Sequence, residues 1–456
     1  MKEFTQDDIE RISSIIAADN SEAAHAELAD LHPADIAELF QQLDTEQSEY
    51  LFRLLDEDTA ADVLMELDED ERLKLIEDMP AEEIAKQIDH LDTDDAVDLI
   101  QQLDEEERDE IISHIDDVEQ AGDIIDLLKY DEDTAGGLMG TEMIVVNENW
   151  SMPECIKQMR LQAEDMDEIY YVYVVDNDYR LRGTLPLKMM LTHPSVSKIK
   201  HVMEADPVSV KADTPIDEVA LDFEKYDLVA MPVVDSIGRL LGRITVDDVM
   251  DQVRESSERD YQLASGLSSD VDADDSVIAQ TKARIPWLLV GIASGILASV
   301  ILGAFEAQLQ AVTALALFIP IIGGTGGNVG VQASAIVVQG LANGSLEVKE
   351  FARSLGKETL IGLLNATIIT AVVLAYNLIV MPGELAVTIS VAVSLFVVVM
   401  FASILGTVIP LTLEKIHINP ALATGPFIQI MNDLFGIIIY VQVATFFLDK
   451  LGSGGL

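Results

Sequence analysis

The hydrophobic pattern changes character near residue 282. Beyond this point the apolar residues form stretches of 21 to 40 residues without a charge, except for one aspartate in the last stretch. A helix that crosses a bilayer needs about 20 apolar residues. The pattern therefore predicts five membrane-spanning helices, which fall within residues 285–305, 307–346, 359–381, 385–413 and 421–448.

The second of these stretches is the least regular. It contains Pro320 and a run with five glycines in eight residues, from Gly323 to Gly330. We expect one crossing with an irregular middle that faces protein or water, because lipid does not tolerate exposed irregular backbone. Gly425-Pro426 and Gly436 predict similar breaks in the last span. The alternative interpretation of all these glycines is close helix packing.

The N-terminal region has a repeat of twelve residues. An apolar residue recurs at Leu31, Leu43, Leu55, Leu67, Met79, Leu91, Leu103 and Ile115, and aspartate directly follows six of these positions, at residues 44, 56, 68, 92, 104 and 116. Each unit predicts an N-cap aspartate, an acidic first turn and a helix of two to three turns. Pro80 replaces the cap once. Such short helices cannot bury their apolar faces alone, so we expect an α-solenoid over residues 1–132.

Between these regions the pattern is that of a tandem α/β module. β-rich runs at residues 169–176 and 228–235 each follow a helical stretch and each close with a turn and a short strand. A helix from Val246 to Leu263 follows the second run. The predicted domains are an N domain (1–132), two α/β domains (133–200 and 201–262), a connecting region (263–284) and a membrane domain (285–456).

Charge sharpens this division. Residues 1–281 hold 73 acidic and 21 basic residues, whereas residues 282–456 hold 8 and 7, within a net charge of −53. So acidic a surface repels nucleic acid and attracts cations. The single cysteine, Cys155, excludes an intrachain disulfide, and the N-terminus lacks the apolar segment of a secretory signal. An enzyme is disfavoured because no nucleophile, base or catalytic metal motif emerges.

Loop charges predict the orientation in the cytoplasmic membrane. Basic residues collect on the cytoplasmic side of membrane proteins. Six of them lie in connections that five spans place on the side of the N-terminus, namely Lys282, Arg284, Lys349, Arg353, Lys357 and Lys415. The opposite connections hold Glu306 and Glu384, with only Lys450 at the C-terminus. We expect the N-terminus inside and the C-terminus outside, with lipid around the spans.

Asp433 is the first candidate for chemistry, because it is the only formal charge in residues 421–448. A charge at this depth costs about 2.5 to 3.5 kcal/mol on insertion scales and marks an ion path by default. The alternative is a structural aspartate bonded to a neighbouring helix. A second candidate is the cluster Asp92, Asp94, Asp95 and Asp98, which suits a weak site for a hard divalent cation. A solvated acidic face is its alternative.

The tandem module resembles a pair of CBS domains, most specifically in "MPVVDSIGRLLGRITVDDVM". CBS pairs often bind adenine nucleotides through a Gly-x-x-Thr-x-x-Asp turn, which Gly242, Thr245 and Asp248 match. The resemblance makes Thr245 and Asp248 nucleotide-binding candidates. In the first repeat Pro186 and Met189 stand where the threonine and aspartate are expected, so a site for ATP is at most half-equipped.

The whole chain resembles the MgtE family of magnesium transporters and channels, most specifically at residues 311–334 and 419–440. The resemblance implies a multidomain membrane protein with an α-helical repeat N domain, an α/β CBS pair, a connecting helix and a five-helix transmembrane domain. It also implies a homodimer whose pore is lined by the second and fifth spans. Asp433 would hold hydrated Mg²⁺ there, with Asn328, Gly425 and Gln429 at nearby pore positions.

The resemblance further implies that cytosolic Mg²⁺ holds the pore closed. Regulatory ligands carried over by matching position are Asp217, Asp227, Asp248, Asp251 and Asp260, and those carried over by repeat position are Asp62, Asp94 and Asp98. Without cations the acidic domains would repel one another, and with Mg²⁺ they would close. Some positions depart from the acids that relatives carry, namely Asn419, Pro215, Ser256 and Arg259.

Two other functions stay open at this point. One is a transporter of another cation, such as Co²⁺ or Na⁺, and the other is a membrane-anchored CBS sensor that transports nothing. Chloride transport is disfavoured because the candidate pore has a carboxylate and no basic partner.

Overall fold

The structure is a computed structural model of the full chain, and it describes residues 4–29, 31–77, 79–163, 166, 169–194, 197–269, 271, 275–346, 351–380 and 385–452. It forms two compact units, Met1–Gln252 and Val253–Leu456. Lys349 and Glu384, which enter the charge argument, and residue 381 at the end of the predicted third span lie outside the described residues.

The first unit begins with short helices in the predicted repeat. They are α1 (Gln6–Ala17), α2 (Ser21–Leu28), α3 (Pro33–Phe40), α4 (Thr45–Phe52), α5 (Glu57–Glu66), α6 (Glu69–Ile76), α7 (Ala81–Ile88), α8 (Thr93–Gln101), α9 (Glu105–Ile112) and α10 (Val118–Leu127). The side chains of Asp44 and Asp56 accept cap hydrogen bonds from Gln47 and Thr59. Alternate helices stack, as α3 does on α5, which gives the predicted solenoid.

The last cap of this repeat was predicted one residue too early. Asp117, and not Asp116, caps α10, because its Oδ1 accepts from the backbone N–H groups of Glu119 and Gln120. The backbone N–H groups of Asp116 and Asp117 instead donate to the Asp89 carboxylate. The final connection, residues 113–117, is therefore longer than any of the earlier connections of the repeat, which contain two to four residues.

Two arginines of this acidic region donate hydrogen bonds to backbone carbonyls at the C-terminal ends of helices. Arg72 donates to the carbonyl oxygens of Leu64, Met65 and Leu67, and Arg108 donates to those of Gln101 and Leu103. These carbonyls lie at or just beyond the C-terminal end of the preceding helix, where backbone acceptors lack helical partners. Some of the few basic side chains in this region therefore stabilise helix ends.

Two α/β modules follow. The first contains β1 (Ile144–Asn147), α11 (Met152–Gln162), β2 (Val172–Val175), β3 (Leu181–Thr184) and α12 (Leu187–Thr192); the second contains β5 (Val210–Lys211), α13 (Ile216–Tyr226), β6 (Ala230–Val234), β7 (Leu240–Thr245) and α14 (Val246–Ser265), with β4 (Glu204–Ala205) between them. The sheet orders are β1-β2-β3-β4 and β5-β6-β7, and β1–β2 and β5–β6 are the parallel pairs. Both predicted β-rich runs contain a strand.

The chain just before β1 reaches across to the second module. Gly140 and Arg243 exchange two backbone hydrogen bonds of 2.9 Å, which extends the second sheet beyond β7. A Cβ on Gly242 would lie 2.5 Å from the Gly140 carbonyl oxygen, so this approach requires glycine. The contact fixes the position of residue 142 beside the N domain.

Among its described residues, the second unit contains five helices long and apolar enough to cross a membrane, at Val277–Ala304, Thr313–Ala342, Phe351–Val380, Leu385–Lys415 and Pro420–Lys450. The regular helices are α15 (Val277–Ala304), α16 (Glu306–Ala311), α17 (Ile319–Ala342), α18 (Phe351–Val380), α19 (Leu385–Lys415) and α20 (Gly425–Gly452). The predicted fold class is confirmed. Helix α19 is central, because it packs against α17, α18 and α20.

The prediction of an irregular middle in the second span is wrong. Helix α17 runs unbroken through the glycine-rich segment, and the irregular part is the 3₁₀ turn Thr313–Phe318 before it. Pro320 lies in the first turn, where its missing N–H costs nothing. The glycines permit close packing instead: a Cβ on Gly330 would lie 1.8 Å from Asn432 Nδ2.

The predicted break at Gly436 is also wrong. Helix α20 continues through this residue, so no backbone carbonyl is freed beside Asp433. A Cβ on Gly436 would meet Val398 of α19 at 3.5 Å, which is an ordinary van der Waals distance, so the packing of α19 does not require glycine at this position. Gly425 has φ +41 at the first position of the helix, where the chain changes direction.

Candidate functional site

Asp433 lies in a cavity of about 490 Å³ in the membrane unit, between α15, α17 and α20. Its Oδ1 faces the glycines of α17, since added Cβ atoms on Gly323 and Gly327 would lie 3.4 and 3.7 Å away. Within the described residues, the carboxylate has no hydrogen-bond or ion-pair partner. The geometry therefore disfavours the alternative of a structural aspartate bonded to a neighbouring helix, and we name this space the Asp433 cavity.

The other predicted pore residues do not all lie together. Gln429, one helical turn before Asp433, lines the same cavity. Asn328 is exposed on α17 and does not line it. Gly425 lies against α14, because an added Cβ would be 2.0 Å from the Ala264 carbonyl oxygen. These positions stay predictions for the pore, but only Gln429 shares the space around the carboxylate.

A group of carboxylates surrounds the N-terminus of α8 in the first unit. Asp92 occupies the N-cap, and Asp94 and Asp95 follow in the first turn. Glu142, which was missed from the sequence, accepts hydrogen bonds of 3.1 Å from the Thr93 backbone N–H and from Thr93 Oγ1. Ligand oxygens of Asp92, Asp94 and Glu142 lie within 4.8 Å of one another. This set offers the hard oxygen ligands that Mg²⁺ and Ca²⁺ prefer.

Burial and mutual repulsion disfavour negative charge in this group. Burial, followed by the charges of Asp248, Asp95, Glu142 and Asp92, raises the pKa of Asp94 well above the ordinary value for a carboxyl group. Burial raises the pKa of Asp95 to about 7, with contributions from Asp248, Asp98 and Asp92, although Arg72 opposes this shift. We call Asp92, Asp94, Asp95, Glu142 and Asp248 the α8 acidic cluster. A bound cation would offset its repulsion.

Asp248 joins this cluster from the start of α14. Its Oδ2 accepts from the Thr245 backbone N–H at 3.2 Å and from Thr245 Oγ1. This is the contact of an acidic residue three positions after a helix N-cap. Burial raises the pKa of Asp248 despite these hydrogen bonds. The predicted nucleotide-binding pair is thus engaged internally, with Asp248 close enough to Asp94 and Asp95 to raise their pKa values.

A cleft beside the cluster is lined by Glu142, Tyr170, Tyr171 and Arg243, among others. The Arg243 guanidinium lies 5.5 Å from the centre of the Tyr170 ring, and its Nη2 is 3.4 Å from Asp92 Oδ2. The cleft encloses about 10 Å³, far less than an adenosine group requires.

The remaining predicted ligands are dispersed. All five are exposed: Asp62 lies on α5, Asp98 on α8, Asp217 and Asp227 at the two ends of α13, and Asp251 on α14. Asp227 adopts a left-handed conformation with φ +52 at the end of α13. Within the described ranges, none of these five belongs to a group of three acids whose oxygens could share an ion. Their assignment stays a prediction.

Asp260 lies in the second unit and has a different partner. Its Oδ1 accepts a 2.8 Å hydrogen bond from Asn419 Nδ2, and Asn419 Oδ1 in turn caps the 3₁₀ turn that precedes α20. The added Cβ positions of Gly425 and Gly266 would also clash across this junction, with the carbonyl of Ala264 and the ring of Pro426. The last turns of α14 therefore pack directly on the start of the helix that carries Asp433.

Comparisons with known proteins cover all three regions. Family models match as the MgtE intracellular N domain at residues 31–133, the CBS domain at 135–194 and 199–255, and a divalent cation transporter at 319–443. The magnesium transporter MgtE of Thermus thermophilus is 36% identical over 332 residues, which cover 71% of this chain and 72% of the relative. That of Bacillus subtilis is 30% identical over 325 residues, with shares of 71% and 72%.

A solved structure agrees with the soluble part. The crystal structure of the cytosolic domain of the Mg²⁺ channel MgtE in complex with ATP is 31% identical, with a TM-score of 0.51. The match covers 54% of this chain and 99% of that one.

Proposed function

From the premise that this chain belongs to the MgtE family of magnesium transporters, we propose a homodimeric, channel-like Mg²⁺ transporter that cytosolic Mg²⁺ holds closed. The chain is a multi-pass membrane protein. The proposed orientation places the N-terminus and the acidic region in the cytosol and the C-terminus outside, as the loop charges favour.

The Asp433 carboxylate carries the proposal for the pore. It is a charge at membrane depth, it has no partner within the described residues, and it lies in a cavity of about 490 Å³. Mg²⁺ gives up water reluctantly, and six waters at about 30 Å³ each occupy about 180 Å³. The cavity can therefore hold the ion with its water shell, so that Asp433 and Gln429 contact the waters.

The α8 acidic cluster supports the proposal for gating. Its carboxylates come from α8, from the segment before β1 and from the start of α14, so that a shared cation would tie these elements together. Without a cation, repulsion disfavours the closed arrangement. Mg²⁺ shifts the equilibrium only if it binds the closed state more tightly than the open one. The gating proposal rests on these carboxylates alone and does not depend on ATP.

Mg²⁺ uptake into liposomes tests the pore assignment. Asp433→Asn keeps the size of the side chain and removes its charge, so we expect uptake to fall at least about tenfold, which corresponds to about 1.4 kcal/mol. Asp449→Asn is the matched control, because Asp449 is exposed near the end of the same helix. Undiminished uptake by Asp433→Asn would overturn the proposal, and competition by Co²⁺ in the same assay measures selectivity.

A further inference from the structure

The first span contributes one face to the Asp433 cavity. Five of the lining residues belong to α15, at spacings that place them on one side of the helix: Trp287, Gly291, Ser294, Gly295 and Ala298. The opposite side carries large apolar residues, of which Ile292, Ile296 and Val300 are 61%, 62% and 65% exposed. Helix α15 is therefore two-sided: Trp287 and, after it, only small residues line the cavity, and the other side is an apolar surface suited to lipid.

Ser294 is the hydroxyl group on the small-residue face. Several serines of the other spans satisfy their hydroxyl groups inside the helix, as Ser390 and Ser394 do by donating to the carbonyls four residues earlier. Within the described part of the chain, the Ser294 hydroxyl has no hydrogen-bond partner. It lies half-buried at the cavity that contains Asp433 and is free to bond to water there.

We infer that the first span is a wall of the ion-holding cavity and that Ser294 contacts the water shell of the cation bound at Asp433. This inference rests on the proposed function. A hydrated divalent cation presents outward-facing water molecules, so a neutral hydroxyl can position it without adding charge. The small residues on either side of Ser294 keep the space open, and a bulky side chain at this position would fill it.

Cysteine labelling tests this arrangement in the full chain in liposomes. Ser294→Cys is compared with Ser299→Cys, which lies in the same helix but is exposed away from the cavity. The native Cys155 is buried and burial raises its pKa to about 11, so the unmutated chain serves as the unreactive reference. A cationic methanethiosulfonate reagent reacts with the thiolate form of cysteine, which forms in water. We therefore expect Ser294→Cys, whose thiol would face the cavity, to be labelled at least about tenfold faster than Ser299→Cys.

Added Mg²⁺ distinguishes a site on the ion path from one that is merely wet. We expect Mg²⁺ to slow labelling of Ser294→Cys at least about threefold, since the bound ion and its waters occupy the same cavity. In the Ser294→Cys, Asp433→Asn double variant, labelling should persist while this protection is lost. Equal labelling rates at positions 294 and 299, or labelling of Ser294→Cys that Mg²⁺ does not slow, would overturn the inference.

A flux measurement separates this inference from the pore proposal. Ser294→Phe should lower Mg²⁺ uptake at least about tenfold by filling the cavity, whereas Ser299→Phe should not. Normal uptake by Ser294→Phe together with lost uptake by Asp433→Asn would overturn the role of the first span and leave the pore proposal standing. Normal uptake by Asp433→Asn would remove the pore proposal itself, whatever the labelling result.

Discussion

Asp433 lies in a cavity of about 490 Å³, whereas Asp92, Asp94 and Glu142 bring their oxygens within 4.8 Å of one another. In the membrane unit a single carboxylate has space around it and no partner within the described residues. At the α8 acidic cluster several carboxylates are crowded, and burial and repulsion raise the pKa values of Asp94 and Asp95. The Asp433 cavity suits an ion that keeps its water shell. The α8 acidic cluster suits an ion that binds several carboxylates directly and so offsets their repulsion.

The two regions also differ in what brings their elements into close contact. In the membrane unit glycine provides it: an added Cβ on Gly406 would lie 2.4 Å from the Gly330 carbonyl oxygen, so α17 and α19 touch through their backbones. At the acidic cluster, the Gly140–Arg243 backbone contact brings Glu142 to α8 against electrostatic repulsion. We therefore expect the membrane site to be permanent and the cluster to depend on solution conditions.

The largest expected effect is that substitutions at the two sites change two different measurements, Mg²⁺ uptake and the compaction of the acidic region by Mg²⁺. Asp433→Asn should lower Mg²⁺ uptake at least about tenfold and leave unchanged the closing of the acidic domains by Mg²⁺, which limited proteolysis reports as compaction. The double variant Asp94→Asn, Asp248→Asn should lose that compaction response, because both repulsion and ligands are reduced. Limited proteolysis over a series of Mg²⁺ concentrations measures this. The double variant should need at least about tenfold more Mg²⁺ for protection than the unmutated chain, or should not be protected by Mg²⁺ at all.

The matched control for this prediction is the double variant Asp104→Asn, Asp116→Asn. It removes the same charge from exposed aspartates of the same repeat, away from the cluster. Its proteolysis should follow that of the unmutated chain. If both double variants respond alike, total charge rather than the α8 acidic cluster controls compaction.

The second prediction concerns pH. Because the pKa of Asp95 is raised to about 7, the arrangement seen here binds protons more tightly than one in which this carboxyl is exposed. Its stability in chelator should therefore be greatest at low pH and should be lost as pH rises from about 4 to 7. Mg²⁺ competes with these protons, so the concentration that protects against proteolysis should be about tenfold lower at pH 8 than at pH 6.

Asp95→Asn provides the control for the pH effect. The variant has no titrating group at this position, so the difference between pH 6 and pH 8 should shrink. Uptake that depends on Asp433 should change less over the same range in both proteins. An unchanged pH dependence in Asp95→Asn would assign the effect to other groups.

The features that follow from local sequence were predictable. The N-cap aspartates recur with the helices they begin, and unbroken apolar stretches identify the five spans. Glycine was misleading because the role of Gly330 is set by the neighbouring helix α20, which a single stretch of sequence does not reveal. That Asp94 lies in a group of carboxylates was predictable from the density of acids around it, and its role as a ligand stays a prediction.

Glu142 was not predictable for a related reason. It lies in a short segment between the N domain and β1, with no acidic run around it. Only the tertiary contact between Gly140 and Arg243 brings it to Thr93 and Asp94. In the same way, nothing in the apolar sequence of the first span distinguishes Ser294 from Ser299 until the cavity is seen.

The third prediction addresses the junction within the second unit. Asn419→Ala removes the hydrogen bond to Asp260 and the cap on the turn before α20. One such bond contributes about 1 kcal/mol, so we expect uptake at closing Mg²⁺ concentrations to rise about fivefold. Asn419→Asp keeps the cap and places two carboxylates together, so closure should then require more Mg²⁺ but still occur. Equal behaviour of the two variants would contradict a role for the bond to Asp260.

The smallest expected effect separates acids that cap helices from acids that sense cations. Asp56 accepts from the Thr59 backbone N–H at 3.1 Å, whereas Asp104 occupies an N-cap without a side-chain hydrogen bond. Asp56→Ala should therefore weaken the first turn of α5 by about 1 kcal/mol, and Asp104→Ala should have a smaller effect on α9. Hydrogen exchange in the full chain would show about fivefold faster exchange at the start of α5. Both variants should keep the Mg²⁺ response, because neither residue belongs to the α8 acidic cluster; a lost response in Asp56→Ala would extend the sensor into the repeat.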